Sequence, residues 1–182
     1  MTNRLFISLD IPEDILNNLI KQRDEIYGEH NTVSWEEKEK MHITLKFLGD
    51  VGEYTTDLLV ARLDEIVHNE INIEFDKFAF FKKQNMLKIL FASIIENERV
   101  TELFDKVENE CELCGFKKEK RKFHPHITLL RLKGKEDLNN LIKFQNIKIE
   151  LNKFTVRTFS LLKSELKPTG SEYTKIKSYK LI

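Results

Sequence analysis

Two copies of one tetrapeptide carry the groups in this chain best suited to chemistry: His42-Ile43-Thr44-Leu45 and His126-Ile127-Thr128-Leu129. Alternate side chains of a β-strand share a face. Each copy, read as a strand, therefore presents an imidazole and a hydroxyl on one side and sends its Ile and Leu toward a core. Two such strands facing each other across a cleft would gather two imidazoles and two hydroxyls around a small anionic group. An unperturbed histidine titrates near pH ~6.5, so one ring of a pair can take a proton while the other gives one. The constellation suits acid–base chemistry on a phosphate, with Thr44 and Thr128 donating hydrogen bonds to its non-bridging oxygens.

A lone histidine on a strand is more often a surface or satisfied core residue, and Ile-Thr-Leu by itself indicates only a strand. The doubling tips the balance, because two independent core strands have no packing reason to share a histidine at the same place. Two cations are secondary substrate-binding candidates. Lys46 has the strand parity of His42 and Thr44 and should face the cleft rim. Arg131 has the opposite parity to His126 and Thr128 and reaches the site only if its strand ends or bulges there.

The elements that must position these groups follow from periodicity. Arg4–Asp10 reads as a strand, and Asp10-Ile11-Pro12-Glu13 as a helix start with Asp10 as N-cap and Glu13 completing a capping box. That helix carries Ile15, Leu16, Leu19 and Ile26 and ends near Gly28. His42–Phe47 is a strand and Thr56–His68 a helix. Ile71–Phe81 and Met86–Ile95 are strands joined by a hairpin turn at Lys82–Asn85. Asn97–Cys114 is a helix stopped by Gly115. His126–Leu132 is a strand, Glu136–Phe144 a short helix, and Ile147–Leu151 and Phe154–Lys163 are strands. After the turn Lys167–Gly170 a last strand runs through Tyr179. The second half echoes the first, with motif copies 84 residues apart. The expected fold is α+β: a duplicated, two-lobed single domain over residues 1–182, each lobe an antiparallel-rich sheet with helices packed outside and a central cleft.

Bulk properties narrow the field. The 182 residues are 41% hydrophobic and 33% charged, an ordinary globular composition. Thirty basic and thirty acidic residues cancel, so any nucleic-acid contact must come from a local patch. One such patch precedes and follows the second motif: residues 117–133 hold seven Lys or Arg against the single acid Glu119. Such a run is usually a solvated face; beside the motif it is also a candidate phosphate-tracking groove, with Phe116, Phe123 and, ahead of the first motif, Trp35 as stacking or core residues. No run approaches the ~18 apolar residues of a membrane span. A cytoplasmic location and a monomer are the default expectations. Cys111 and Cys114 lie at the end of a helical pattern without a second ligand pair, and are expected to be plain reduced cysteines. No Gly-x-x-x-x-Gly-Lys loop is present and the histidines lack clustered carboxylates or thiolates, so neither cofactor nor metal is expected. His30 and His68 carry no motif and are expected at the surface.

Longer stretches carry a resemblance. His42–Gly49 reads His-Ile-Thr-Leu-Lys-Phe-Leu-Gly, and Pro125–Arg131 reads Pro-His-Ile-Thr-Leu-Leu-Arg. Together with Arg4–Pro12, Gly115-Phe116, Phe123–His126 and Leu162–Tyr173, they resemble the two-histidine phosphoesterases. Within these they resemble the bacterial and archaeal RNA 2′,3′-cyclic phosphodiesterases once called 2′-5′ RNA ligases. The resemblance implies metal-independent hydrolysis of a 2′,3′-cyclic phosphate to a 2′-phosphate, with His42 as proton donor and His126 as acceptor. It implies RNA ends or cyclic nucleotides as substrates, and it favours Arg131 over Lys46. His124 departs from the family, where Arg is common two residues before the second histidine; it is expected at the rim. Two other functions stay open: action on 2′-5′ linked or small cyclic nucleotides, including ligation, and a non-catalytic RNA-binding module. A structural domain whose histidines merely reflect duplication is the fourth reading.

Overall fold

A computed structural model describes residues 2–28, 33–150, 153–168 and 170–182. The order is β1 (Thr2–Leu9), α1 (Glu13–Tyr27), a 3-10 turn (Lys38–Lys40), β2 (Ile43–Gly52), α2 (Glu53–Asp64), β3 (Ile71–Ile73), β4 (Phe75–Lys83), β5 (Met86–Ile94), α3 (Glu98–Leu113), β6 (His126–Arg131), α4 (Leu138–Ile142), β7 (Phe154–Val156), β8 (Thr158–Lys167) and β9 (Gly170–Lys180). The fold is α+β and mostly antiparallel. Seven strands run β4-β5-β6-β2-β1-β8-β9, and β3 pairs separately with β7.

The seven strands form two lobes. β2 and β6, the motif strands, meet through a single antiparallel bridge, Ile43 to Ile127, and then part. A cleft opens between them. Along β1 the residues Leu5, Ile7 and Leu9 are buried on the core face, where they join Leu16 and Leu19 of α1, Leu59 and Leu63 of α2, and Val100, Leu103 and Val107 of α3. Phe6 and Ser8 alternate onto the other face, the one that carries the motif histidines.

The duplication is real but intertwined. The offset that separates His42 from His126 also carries β1 onto β5, α1 onto α3, α2 onto α4 and β4 onto β8. Yet β4, from the first unit, pairs with β5 of the second, and β8, from the second, pairs with β1 of the first. The lobes are therefore not the sequential halves.

Local chemistry explains most ends. Asn97 caps α3, its Oδ1 accepting from the backbone N–H of Arg99 and Val100 at 3.1 and 3.3 Å. Gln84 and Asn85 have φ of 51° and 60°, the left-handed pair that a two-residue hairpin between β4 and β5 requires.

Several expectations are corrected. Asp10 does not cap α1, whose N-cap Pro12 has no side-chain cap; its carboxylate instead accepts from Ser160 Oγ at 2.6 Å and Thr158 Oγ1 at 2.7 Å and pairs with Lys175. α2 covers Glu53–Asp64, so His68 lies beyond it. His68 is 4% exposed rather than at the surface, its Nδ1 donating to the Asn69 carbonyl. Of the expected strand at 147–151, the described residues 147–150 make one bridge, Lys148 to Lys77. Strand breaks at Glu74 and Arg157 let β3 and β7 turn away to pair with each other. His30, Leu151 and Thr169, which entered the expected surface, strand and turn assignments, lie outside the described residues.

Candidate active site

The Ile43–Ile127 bridge sets the site. Running antiparallel from it, β2 and β6 place Thr44 alongside His126 and His42 alongside Thr128, all on the face opposite the buried isoleucines. The four line a small pit of about 60 Å³ with Glu36, Lys40, Phe47, Arg131 and Tyr173.

Both motif strands bulge one residue after the threonine. Against β1, Ile7 pairs with Lys46 and Ser8 with Thr44, leaving Leu45 extra. Against β5, Leu90 pairs with Leu130 and Phe91 with Thr128, leaving Leu129 extra. A bulge inverts the parity of all that follows. Leu45 and Lys46, and likewise Leu129 and Leu130, are consecutive buried residues. The next position, Phe47 in one copy and Arg131 in the other, returns to the pit.

The two cationic candidates thus separate. Arg131 reaches the pit, where its Nε donates to Glu36 Oε1 at 3.1 Å. Lys46 does not face the rim as simple alternation expects. It is buried, its Nζ donating to Glu108 Oε1 of α3 at 2.7 Å and to the Lys117 carbonyl at 3.0 Å.

Each imidazole is oriented from behind and enclosed by rings. His126 Nδ1 donates to the His124 carbonyl at 2.6 Å, which in the neutral ring leaves the Nε2 lone pair free. The backbone of Lys40, also two residues upstream, hydrogen-bonds His42, whose Nε2 lies 3.1 Å from Thr44 Oγ1. Phe6 stacks on His42 at 5.0 Å with Tyr173 edge-on at 5.6 Å. Phe81 and Phe91 meet His126 edge-on at 4.9 and 5.2 Å. Burial among these rings disfavours the charged form. It is the first cause that pushes His42 down to about 4 and lowers His126 as well, with the Arg131 charge adding in the same direction.

The four flanking rings were not singled out by sequence reasoning. Their signal was there: Phe6 and Phe91 occupy the strands that pair with the motif strands, at positions whose side chains face the histidines. Trp35 packs in the core, edge-on to Tyr27 and beneath Arg23. Phe123 stacks on Phe104 at 4.2 Å. His124 is exposed and lines a groove that leaves the pit along Lys117–Phe123. Cys111 is buried with its thiol pushed up to about 12 by burial, and Cys114 is also free.

Known proteins resemble this chain in sequence and in fold. The family model described as LigT like Phosphoesterase matches the chain twice, over residues 9–88 and 94–173. The RNA 2′,3′-cyclic phosphodiesterase of Methanocaldococcus jannaschii is 31% identical, the alignment covering 97% of this chain and 99% of that protein. The protein of the same name from Methanothermobacter thermautotrophicus is 27% identical with both chains fully covered. The crystal structure of E. coli LigT complexed with 3′-AMP superposes with a TM-score of 0.82 at 21% identity, covering 100% of this chain and 99% of that one. That last likeness is one of fold. With both repeats matched by one family model, and relatives aligned end to end, the chain belongs to the family of LigT-like, two-histidine phosphoesterases.

Proposed function

We propose that this phosphoesterase hydrolyses 2′,3′-cyclic phosphate ends of RNA to 2′-phosphates without a metal, using His42 and His126 as acid and base. The observation that carries the reading is the shared pit, where two oriented imidazoles and two threonine hydroxyls surround a space suited to one phosphate. The names of the archaeal relatives supply the substrate class.

In the proposed step a water attacks phosphorus and gives its proton to His126, whose free Nε2 suits it to accept. The bond from phosphorus to the ribose 3′ oxygen breaks, and that oxygen takes a proton from His42. Thr44, Thr128 and Arg131 stabilise the charge that builds on the non-bridging oxygens. His42 must arrive protonated, although burial holds its pKa low in the free protein. The anionic phosphate beside it supplies the opposing field, so substrate binding itself arms the acid.

The test is turnover of a cyclic-phosphate-ended oligoribonucleotide and of 2′,3′-cyclic AMP, with EDTA present. Activity that survives EDTA and yields a 2′-phosphate is expected. His42→Ala and His126→Ala should each lose at least ~100-fold in rate while remaining folded; activity that persists in either variant sinks the paired-histidine assignment. Thr44→Val or Thr128→Val should lose roughly tenfold to a thousandfold, by analogy with oxyanion-hole donors.

A further inference from the structure

The pit, at about 60 Å³, has room for little more than a phosphate, so a nucleoside and any strand attached to it must leave through a wider opening. Two openings adjoin the pit. One is a hollow of about 300 Å³ that reaches Arg4 and Leu166 past Phe6, Phe47 and Tyr173. Its cations are Arg4 and Arg131. The other is a groove of about 580 Å³ that shares Thr44, Phe47 and His126 with the pit and runs past Lys117, Arg121 and Lys122. Of the two exits this one is lined by more cations, although Glu119 pairs with Arg121 there.

The wall of this groove is held in place by buried chemistry. Lys46 and Glu108 form an ion pair with side chains only 6% and 5% exposed. Lys46 Nζ also donates to the Lys117 carbonyl, and Glu108 Oε2 accepts from the Glu119 backbone N–H at 2.9 Å. Further along, Phe123 is stacked on Phe104 of α3 with the rings 8° from parallel. The segment is therefore fixed at Lys117, Glu119 and Phe123 before any ligand arrives, which lowers the ordering cost of binding. Between these anchors the Lys117 side chain has no hydrogen bond or ion pair among the described residues. Among the same residues Lys122 reaches only Glu96, at 3.7 Å and well exposed.

We propose that this groove is the subsite for single-stranded RNA leading to the reacting end, with Lys117 and Lys122 following its phosphates. The proposal rests on reading the pit as a cyclic phosphodiesterase site, and it adds that the enzyme prefers a strand to a mononucleotide.

The test pairs a binding measurement that needs no turnover with a kinetic one. Binding of a fluorescein-labelled single-stranded oligoribonucleotide of about ten residues, carrying a 3′-phosphate, is followed by anisotropy across a salt series. The double variant Lys117→Ala/Lys122→Ala is expected to bind roughly tenfold more weakly at low salt. Its slope of log affinity against log salt should be shallower by about 1.4, at about 0.7 per lost phosphate contact. In turnover, the kcat/KM for the oligonucleotide should fall far more than that for 2′,3′-cyclic AMP. Unchanged binding and salt slope in the double variant overturn the proposal. So does weakened binding in Arg4→Ala alone, which would route the strand through the smaller hollow. If the native protein turns over neither substrate yet the double variant loses oligonucleotide binding, the groove stands and the reading of the reaction falls.

Discussion

At the scale of single residues the site is governed by a conflict between burial and charge. Aromatic rings hold the two imidazoles in place and at the same time exclude the water that would stabilise their cations. Both pKa values consequently lie below the ordinary 6.5. One ring must be protonated and the other neutral for the proposed step, and in the free protein that state is populated most on the acid side of 6.5. The alkaline limb of kcat/KM, which reports the free enzyme, should therefore fall below pH 6.5. A phosphate anion in the pit raises the pKa of the acid, so the limb for kcat should lie at higher pH. Coincident limbs in a pH–rate study would show that the bound phosphate does not arm the acid. Phe91→Ala admits water beside His126, and its ring should titrate closer to 6.5 in an NMR pH series; an unmoved titration would remove the aromatic rings as the cause.

At the scale of elements the decisive feature is the pair of bulges at Leu45 and Leu129. They send Lys46 inward to Glu108 and bring Arg131 out to the pit, exchanging the roles that alternation assigns. Breaking a buried ion pair from one side strands the other charge. Lys46→Met should cost about 3–5 kcal/mol, and Lys46→Met/Glu108→Leu should recover much of it. Urea unfolding checks both; a cheap single variant would mean that Glu108 finds another partner. Asn97→Ala removes the α3 cap and should cost about 1 kcal/mol, read in the same assay. These elements also show what a sequence can disclose. The helices and the hairpin turn expected at Lys82–Asn85, which the structure narrows to Gln84-Asn85, were legible because apolar spacing and turn residues act within a few residues. The bulges were not, because an extra residue is defined by a partner strand far away in the chain. Asp10 has the same lesson: its local pattern fits an N-cap, but Ser160 and Thr158, about 150 residues on, offer better donors. His68 is buried for a reason no local pattern carries, the C-terminal chain folding over it, with the Ile182 N–H donating to its carbonyl.

At the scale of the whole molecule the duplication explains how the four groups of the site meet. Two repeats related by one offset bring their His-Ile-Thr-Leu copies together at Ile43 and Ile127, so one repeated motif supplies both histidines and both threonines of the pit. The motif repeat was visible in the sequence; the exchange of hairpins was not, since alternation does not say which edge a strand will seek. That exchange has a consequence for folding. A fragment of residues 1–84 keeps β1 and β2 but lacks β8 beside β1 and β5 beside β4. A fragment of residues 85–182 keeps β5 and β6 but has β8 and β9 with no β1 to pair against. Each would expose sheet edges and the apolar face of strands whose core partners sit on the other piece. Neither fragment should fold alone by circular dichroism, and mixing them should restore both the sheet signal and turnover. The single Trp35 reports the joint directly, since it packs on Tyr27 of the first fragment and Phe144 of the second. Its emission should shift on mixing and should lose intensity in urea, for the intact chain, at the same midpoint as the far-ultraviolet signal. A fragment that folds by itself, or two separated midpoints, would show that the lobes are energetically independent despite the strands they share.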